Sequence, residues 1–191
     1  MNILFLNHFA GIPQKSDKAL RHFNIAKELQ KKYNYKCSII TSSQSYLSDQ
    51  KVNIDKQKIK GIDYYFIDEF STNKNNLFIK LIRMFSFSLN LFWYFKKNPN
   101  KHNPDIILAS SPTLLSCLAA YYFSKKTRAK FIFEIRDIWP LSQVDLHNFS
   151  YKHPMIFILK KIEILLHKKS YKVVSNLPYY HNYLNKYKIS V

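Results

Sequence analysis

At 191 residues, of which 47% are hydrophobic, the chain fits one large domain with a real buried core. Its 30 Lys and Arg against 12 Asp and Glu give a formal net charge of +18, a field that attracts nucleic acid or an anionic membrane surface. No nucleic-acid-binding motif accompanies that charge. The abundance of Lys, Asn, Ile and Tyr beside only 2 Gly also fits drift in an AT-rich genome.

The first apolar run, residues 3–6, predicts a short buried strand. Residues 7–16 form a loop that holds Gly11. A helix is expected over 17–32, with Phe23, Ile25, Ala26 and Leu29 on one face and Leu20 at its edge. Residues 36–41 and 62–67 predict two further strands, the latter rich in aromatic and β-branched side chains. Between them, residues 46–61 are polar and Lys-rich and read as a loop or a hairpin. A helix over 77–95, a strand over 105–109 and a helix over 114–125 follow. Next come a strand over 130–135, a helix over 154–169 and a short strand over 172–175. Strands alternating with helices imply a parallel sheet with right-handed crossovers: an α/β, doubly wound Rossmann-like fold. There are no repeats and no low-complexity linker.

The helix over 77–95 carries two apolar stripes. At 100° per residue, Phe78, Leu81, Ile82, Phe85, Leu89 and Phe92 form one, expected to face the core. Met84, Phe87, Leu91, Tyr94 and Phe95 form the other, with Lys80 and Arg83 on the same side and Lys97 near its edge. The second stripe is expected to enter a bilayer surface, Phe87 and Leu91 among lipid and Lys80 and Arg83 at the phosphates. The alternative is packing under a loop or against a neighbouring helix.

Cys37 and Cys117 lie far apart in apolar segments, so they read as free buried thiols in a reducing compartment. No secretory leader and no uninterrupted apolar run of about 18 residues is seen, so the protein is expected to be cytoplasmic without a spanning helix.

Ligands in an open α/β sheet bind outside the carboxyl ends of the strands. The run Phe131–Phe133 continues into Glu134, Ile135, Arg136, Asp137, Ile138, Trp139 and Pro140. A strand therefore delivers an arginine, a carboxylate and a tryptophan to one loop. Arg136 and Asp137 could pair with each other or cap the next helix. A carboxylate near a cleft can also take a proton, and an arginine can grip an anion bidentately. Glu134 alternates with Phe133 and Ile135 and so faces a different side. His8 follows the first strand and reads first as a satisfied loop histidine, with a place at the cleft as the second reading. Gly11 by itself reads as a plain turn glycine; its loop is also where backbone approaches a ligand closely, although no GxGxxG fingerprint is present. Ser110-Ser111-Pro112 is a helix start, with hydroxyls and amides suited to a sugar or phosphate oxygen.

Phe133-Glu134-Ile135-Arg136-Asp137-Ile138-Trp139-Pro140 resembles the "FEvRDlWP" signature of bacterial GT-B glycosyltransferases of family 4, in the O-antigen and capsule branch that includes fucosamine transferases. Further landmarks follow in order. Met1 to Pro13 resembles the first strand and its glycine loop, and Ala109-Ser110-Ser111-Pro112-Thr113 the "asSPp" turn. Ile162-Glu163 with Tyr171-Lys172-Val173-Val174-Ser175 resembles the closing "lE…aD.vv.vS" segment, with Tyr171-Lys172 in place of a small-acidic pair. Arg21 lies near the family's first-helix arginine, about one residue out of step.

The resemblance implies the amino-terminal, acceptor-binding half of a GT-B enzyme over residues 1–191. The donor half, with its Glu-x7-Glu motif, is not matched after Ser175. Its implied task is transfer of a sugar from a nucleotide-sugar, held by that other half, to a lipid-linked saccharide at the inner face of the plasma membrane. No cofactor, metal or nucleic acid is implied. Asp137 would be the base of an inverting enzyme or would orient the acceptor in a retaining one. Arg136, Gly11, Ser110, Ser111, Arg21 and His8 would contact the acceptor. Alone, this half is expected to transfer no sugar. The alternatives are a non-enzymatic membrane-anchoring subunit of a split transferase and a basic nucleic-acid-binding domain.

Overall fold

The computed structural model describes residues 1–13, 18–44, 52–72, 77–111, 113–142, 150 and 152–189. In chain order the elements are β1 (Asn2–Leu6), α1 (Arg21–Tyr33), β2 (Lys36–Ser42), β3 (Lys56–Ile59), β4 (Ile62–Ile67) and α2 (Leu77–Lys97). Then come β5 (Ile106–Ser110), α3 (Leu114–Thr127), β6 (Lys130–Ile135), α4 (Pro154–Lys169), β7 (Lys172–Ser175) and α5 (Tyr180–Lys186). The strands form one sheet in the order β3-β4-β2-β1-β5-β6-β7. All neighbours are parallel except β3, which pairs antiparallel with β4 at the edge. The chain begins in the middle and winds outward both ways, so the fold is α/β and doubly wound. The direction reverses between β1 and β5, where Leu6 stands opposite Ile40 on one side and Ala109 on the other.

Alternation along the strands sorts the core into two layers. Ile3, Phe5, Ile39, Tyr64 and Phe66 point to the face covered by α1, through Phe23 and Ala26. Leu4, Leu6, Ile40, Ile107, Phe131 and Phe133 point to the opposite face. There α3 lies between α2 and α4 and is buried nearly all round, from Leu114 to Ser124. Such a helix shows almost no amphipathic stripe. Cys37 and Cys117 are free and buried, and burial pushes the Cys37 thiol up to about 11.

Several boundaries differ from expectation. The 46–61 segment takes the hairpin form of its two readings and contributes β3, while residues 45–51 lie outside the described residues. β3 turns into β4 through Lys60 and Gly61, both at positive φ (46° and 90°), the geometry of a two-residue hairpin. Helix α1 starts at Arg21, because Ala19 takes a positive φ of 57° and ends any helical path upstream. α5 was not anticipated; its buried Tyr180 and Tyr183 lie in polar sequence.

The larger correction concerns α2. Phe87 and Leu91, expected at a membrane, are both 0% exposed and lie in the core with Phe95. Phe78 and Phe85, expected inside, are 70% and 59% exposed, and Leu89 and Phe92 are exposed too. The helix is rotated about half a turn from the reading. Both stripes are apolar, so periodicity alone could not choose between them. The helix is fixed instead by Arg83, which reaches Glu69 at the end of β4, and by Phe87, which stacks on His8. No helix among the described residues is long and apolar enough to cross a membrane.

Candidate functional site

Beyond the carboxyl ends of β1 and β6 lies a cleft of about 390 Å³. Its polar walls are Asn7, His8, Lys80, Arg83, Arg136 and Asp137; Phe9, Met84 and Trp139 supply apolar surface. Two buried polar networks build its floor.

The first is centred on His8. The ring is sandwiched between Phe9 and Phe87, with centroids 4.2 and 4.0 Å away. Its Nε2 meets a carboxylate oxygen of Glu69, and its Nδ1 lies 3.1 Å from the Thr113 hydroxyl. A carboxylate can only accept, so Nε2 carries the proton and Nδ1 accepts from Thr113. Burial lowers the pKa of His8 and outweighs the raising effect of Glu69. A neutral ring with both nitrogens occupied is a wall, not a base. The second oxygen of Glu69 accepts from Arg83, at 2.7 Å from Nε and 2.5 Å from Nη2.

The second network is centred on Glu134, which points to the α1 side of the sheet. It accepts from Arg21 Nε at 2.9 Å and from His22 Nε2 at 2.7 Å. Asn7 fixes the tautomer. Its Oδ1 accepts from the Phe9 amide, so its Nδ2 donates to His22 Nδ1 at 3.1 Å. Burial would raise the Glu134 carboxyl, but His22 and Arg21 together hold it at about 2.

Above this floor, Ser111 ties the β5 and β6 loops together. Its hydroxyl accepts from the amides of Arg136 at 3.0 Å and Asp137 at 3.3 Å, and donates to the Asp137 carbonyl at 3.2 Å. These bonds place two adjacent side chains on the cleft wall. Asp137 is exposed and makes no ion pair with a described residue. It is the only carboxylate among the described residues that line the cleft. The Arg136 Nε is buried and has no hydrogen-bond partner among the described residues. A buried, unpaired guanidinium nitrogen is costly and is suited to an anionic ligand.

Of the residues expected to meet a ligand, Asp137, Arg136 and His8 lie in the cleft. Lys80 and Arg83, expected at a membrane, also line it. The others do not. Gly11 is glycine because a Cβ there would stand 2.1 Å from the Lys18 carbonyl oxygen, so the loop packs on itself. The Ser110 and Ser111 hydroxyls are buried in loop bonds. Arg21 is held by Glu134. Pro112 lies outside the described residues. Thr113, at the start of α3, turns its hydroxyl to His8 and caps nothing. Glu163 lies away from the cleft, where it accepts from Tyr183 at 2.7 Å and Lys160 at 2.8 Å and fastens α5 to α4. Glu69 was not among the candidates in the sequence. It follows the carboxyl end of β4 in a chain with few acids, so the strand-end rule would have found it. No group of three or more His, Cys, Asp or Glu that could hold a metal occurs among the described residues.

Sequence comparison matches the chain to no described family and to no curated protein. Among solved structures it is similar to the catalytic domain of starch synthase IV from Arabidopsis thaliana bound to ADP and acarbose, with a TM-score of 0.48 and 13% identity over 71% of this chain and 33% of that one. It is also similar to a UGT transferase from Siraitia grosvenorii in complex with UDP, with a TM-score of 0.42 and 8% identity over 91% of this chain and 44% of that one. The chain thus spans about a third of the first and less than half of the second. The fold assignment itself rests on the strand order and register of this sheet.

Proposed function

We propose that this domain is the acceptor-binding half of a glycosyltransferase of the GT-B, family 4 kind. Its substrate would be a lipid-linked saccharide used in O-antigen or capsule assembly, met peripherally at the inner face of the plasma membrane. One observation carries the reading. The Arg136-Asp137 pair of the family-like motif lines a cleft at the sheet's reversal point, and Asp137 is the only carboxylate among the described residues lining it. Lys80 and Arg136 share that cleft with Arg83, which Glu69 holds beside them, and they suit an anionic acceptor head.

The chemistry follows from that placement. The acceptor's anionic group is held by the cations, which fixes its sugar hydroxyl at Asp137. In an inverting reaction Asp137 removes the hydroxyl proton while the oxygen forms its bond to the anomeric carbon. The nucleotide leaves with the electron pair of the broken bond. In a retaining reaction Asp137 orients the same hydroxyl. His8 and Glu134 take no proton from substrate, since both are buried and fully bonded. The nucleotide-sugar would be bound by the second half of the fold.

The test is turnover of Asp137→Asn in the complete protein, beside its melting temperature. The variant keeps size and most hydrogen bonding but loses the basic oxygen. A general base would cost about 10²–10⁴ in rate. An orienting group would cost less. An aspartate that only caps would lower stability by roughly 1 kcal/mol and leave turnover near normal, and that result would end the catalytic reading.

A further inference from the structure

We infer that the apolar groove between α2, α3 and α4 holds the hydrocarbon chain of an amphiphile whose anionic head lies at Lys80, Arg83 and Arg136. The groove encloses about 630 Å³ and is walled by Phe78, Leu81, Phe85, Leu115, Ile158 and Leu159. Thr113 also lines it, but its hydroxyl is engaged by His8. Phe78, Phe85 and Ile158 are exposed there at 70%, 59% and 56%. So much large apolar side chain open to water on one face calls for a covering partner.

Two features choose the partner. The groove runs into the polar cleft: Met84 and Trp139 wall both. One molecule can therefore occupy both spaces, apolar at one end and polar at the other. The polar cleft carries Lys80, Arg136 and an Arg83 already held by Glu69, with Asp137 the one carboxylate among its described lining residues, and the Arg136 Nε has no partner among the described residues. The polar end must then be anionic, in the manner of a phosphate or diphosphate. A second copy of this chain is disfavoured as occupant. Pairing the two grooves would bring together two such cation clusters on chains of +18 each.

The inference rests on the acceptor-side reading only for the amphiphile's being a substrate. Its test uses neither donor sugar nor turnover, so it succeeds or fails separately. Farnesyl diphosphate, farnesol and inorganic pyrophosphate are titrated calorimetrically into the complete protein. Farnesyl diphosphate is expected to bind about tenfold or more tighter than pyrophosphate, because only it fills the groove. The double variant Phe85→Asp with Ile158→Asp changes two exposed side chains. It is expected to reduce farnesyl diphosphate affinity to that of pyrophosphate and to leave pyrophosphate binding unchanged. Equal affinity of the wild type for farnesyl diphosphate and pyrophosphate overturns the inference and needs no variant to establish. So does unchanged farnesyl diphosphate binding in the double variant. A dimer that the double variant dissolves, with no preference for farnesyl diphosphate over pyrophosphate, assigns the groove to self-association and overturns it equally.

Discussion

Glu134 and Asp137 stand three positions apart and do opposite things. Glu134 lies inside the sheet's α1 side, ionised and fully bonded; Asp137 lies exposed at the open end, with no ion pair to a described residue. The alternation rule already separated them, since Phe133 and Ile135 had to face the core. What no pattern revealed was that Arg21 and His22 would reach Glu134 from more than 100 residues away. Likewise, Gly11 and Ser110 sit where a cleft residue should be, but their contacts are internal to the loops. The Glu134 network carries a stability prediction. Its carboxyl is held at about 2 in place of the ordinary 4.5, so folding favours the ionised form. A depressed acid stabilises above its unfolded pKa and loses that stabilisation as pH falls from 4.5 towards 2. The difference corresponds to roughly 3 kcal/mol. Glu134→Gln is therefore expected to lower stability by about that much at pH 7 and much less near pH 2. Urea unfolding at both pH values checks it. An equal loss at the two values would show that the carboxylate's charge is not what matters.

At the level of one helix, α2 shows where a periodic pattern stops being informative. Its length and type were legible, since residues 77–97 have strong apolar content and no proline or glycine. Its rotation was not, because each stripe could serve as the buried one. Lys80 and Arg83 pointed the wrong way as clues: they meet the cleft, not solvent alone. The deciding contacts were Arg83 with Glu69 and Phe87 with His8, both long-range. The two faces should respond differently to truncation. Phe87→Ala opens a hole against the His8 ring and within the core and should cost about 3–5 kcal/mol. Phe85→Ser, on the exposed side, should change stability by roughly 0.5 kcal/mol or less. Thermal or denaturant unfolding of the two variants measures the contrast. A large loss at Phe85 with none at Phe87 would restore the opposite rotation.

Across the whole molecule, the alternating pattern of strands and helices was enough to give a parallel, doubly wound sheet. The order of its strands, and the antiparallel β3 at the edge, came only from the structure, because right-handed crossovers limit the order without fixing it. Charge acts at the same scale. A formal +18 cannot be ascribed to any one residue, but it meets a ligand or surface as a single field. The proposed peripheral site then predicts a two-part affinity for membranes. Lysines near an anionic bilayer contribute about 1 kcal/mol each, and that part fades as the Debye length shrinks from about 10 Å at 0.1 M salt to about 3 Å at 1 M. The apolar part, from Phe78, Phe85, Leu89 and Phe92, is not screened. Sedimentation with phosphatidylglycerol vesicles should therefore fall steeply as salt rises and level off above zero. Phe85→Asp with Phe92→Asp should remove the remainder at high salt while sparing much of the binding at low salt. Vesicles of neutral lipid should bind only through the salt-resistant part. Pelleting that ignores both salt and headgroup charge would mean that the basic field plays no part in membrane contact. Loss of all binding at high salt in the wild type would mean that the exposed face of α2 does not enter the bilayer.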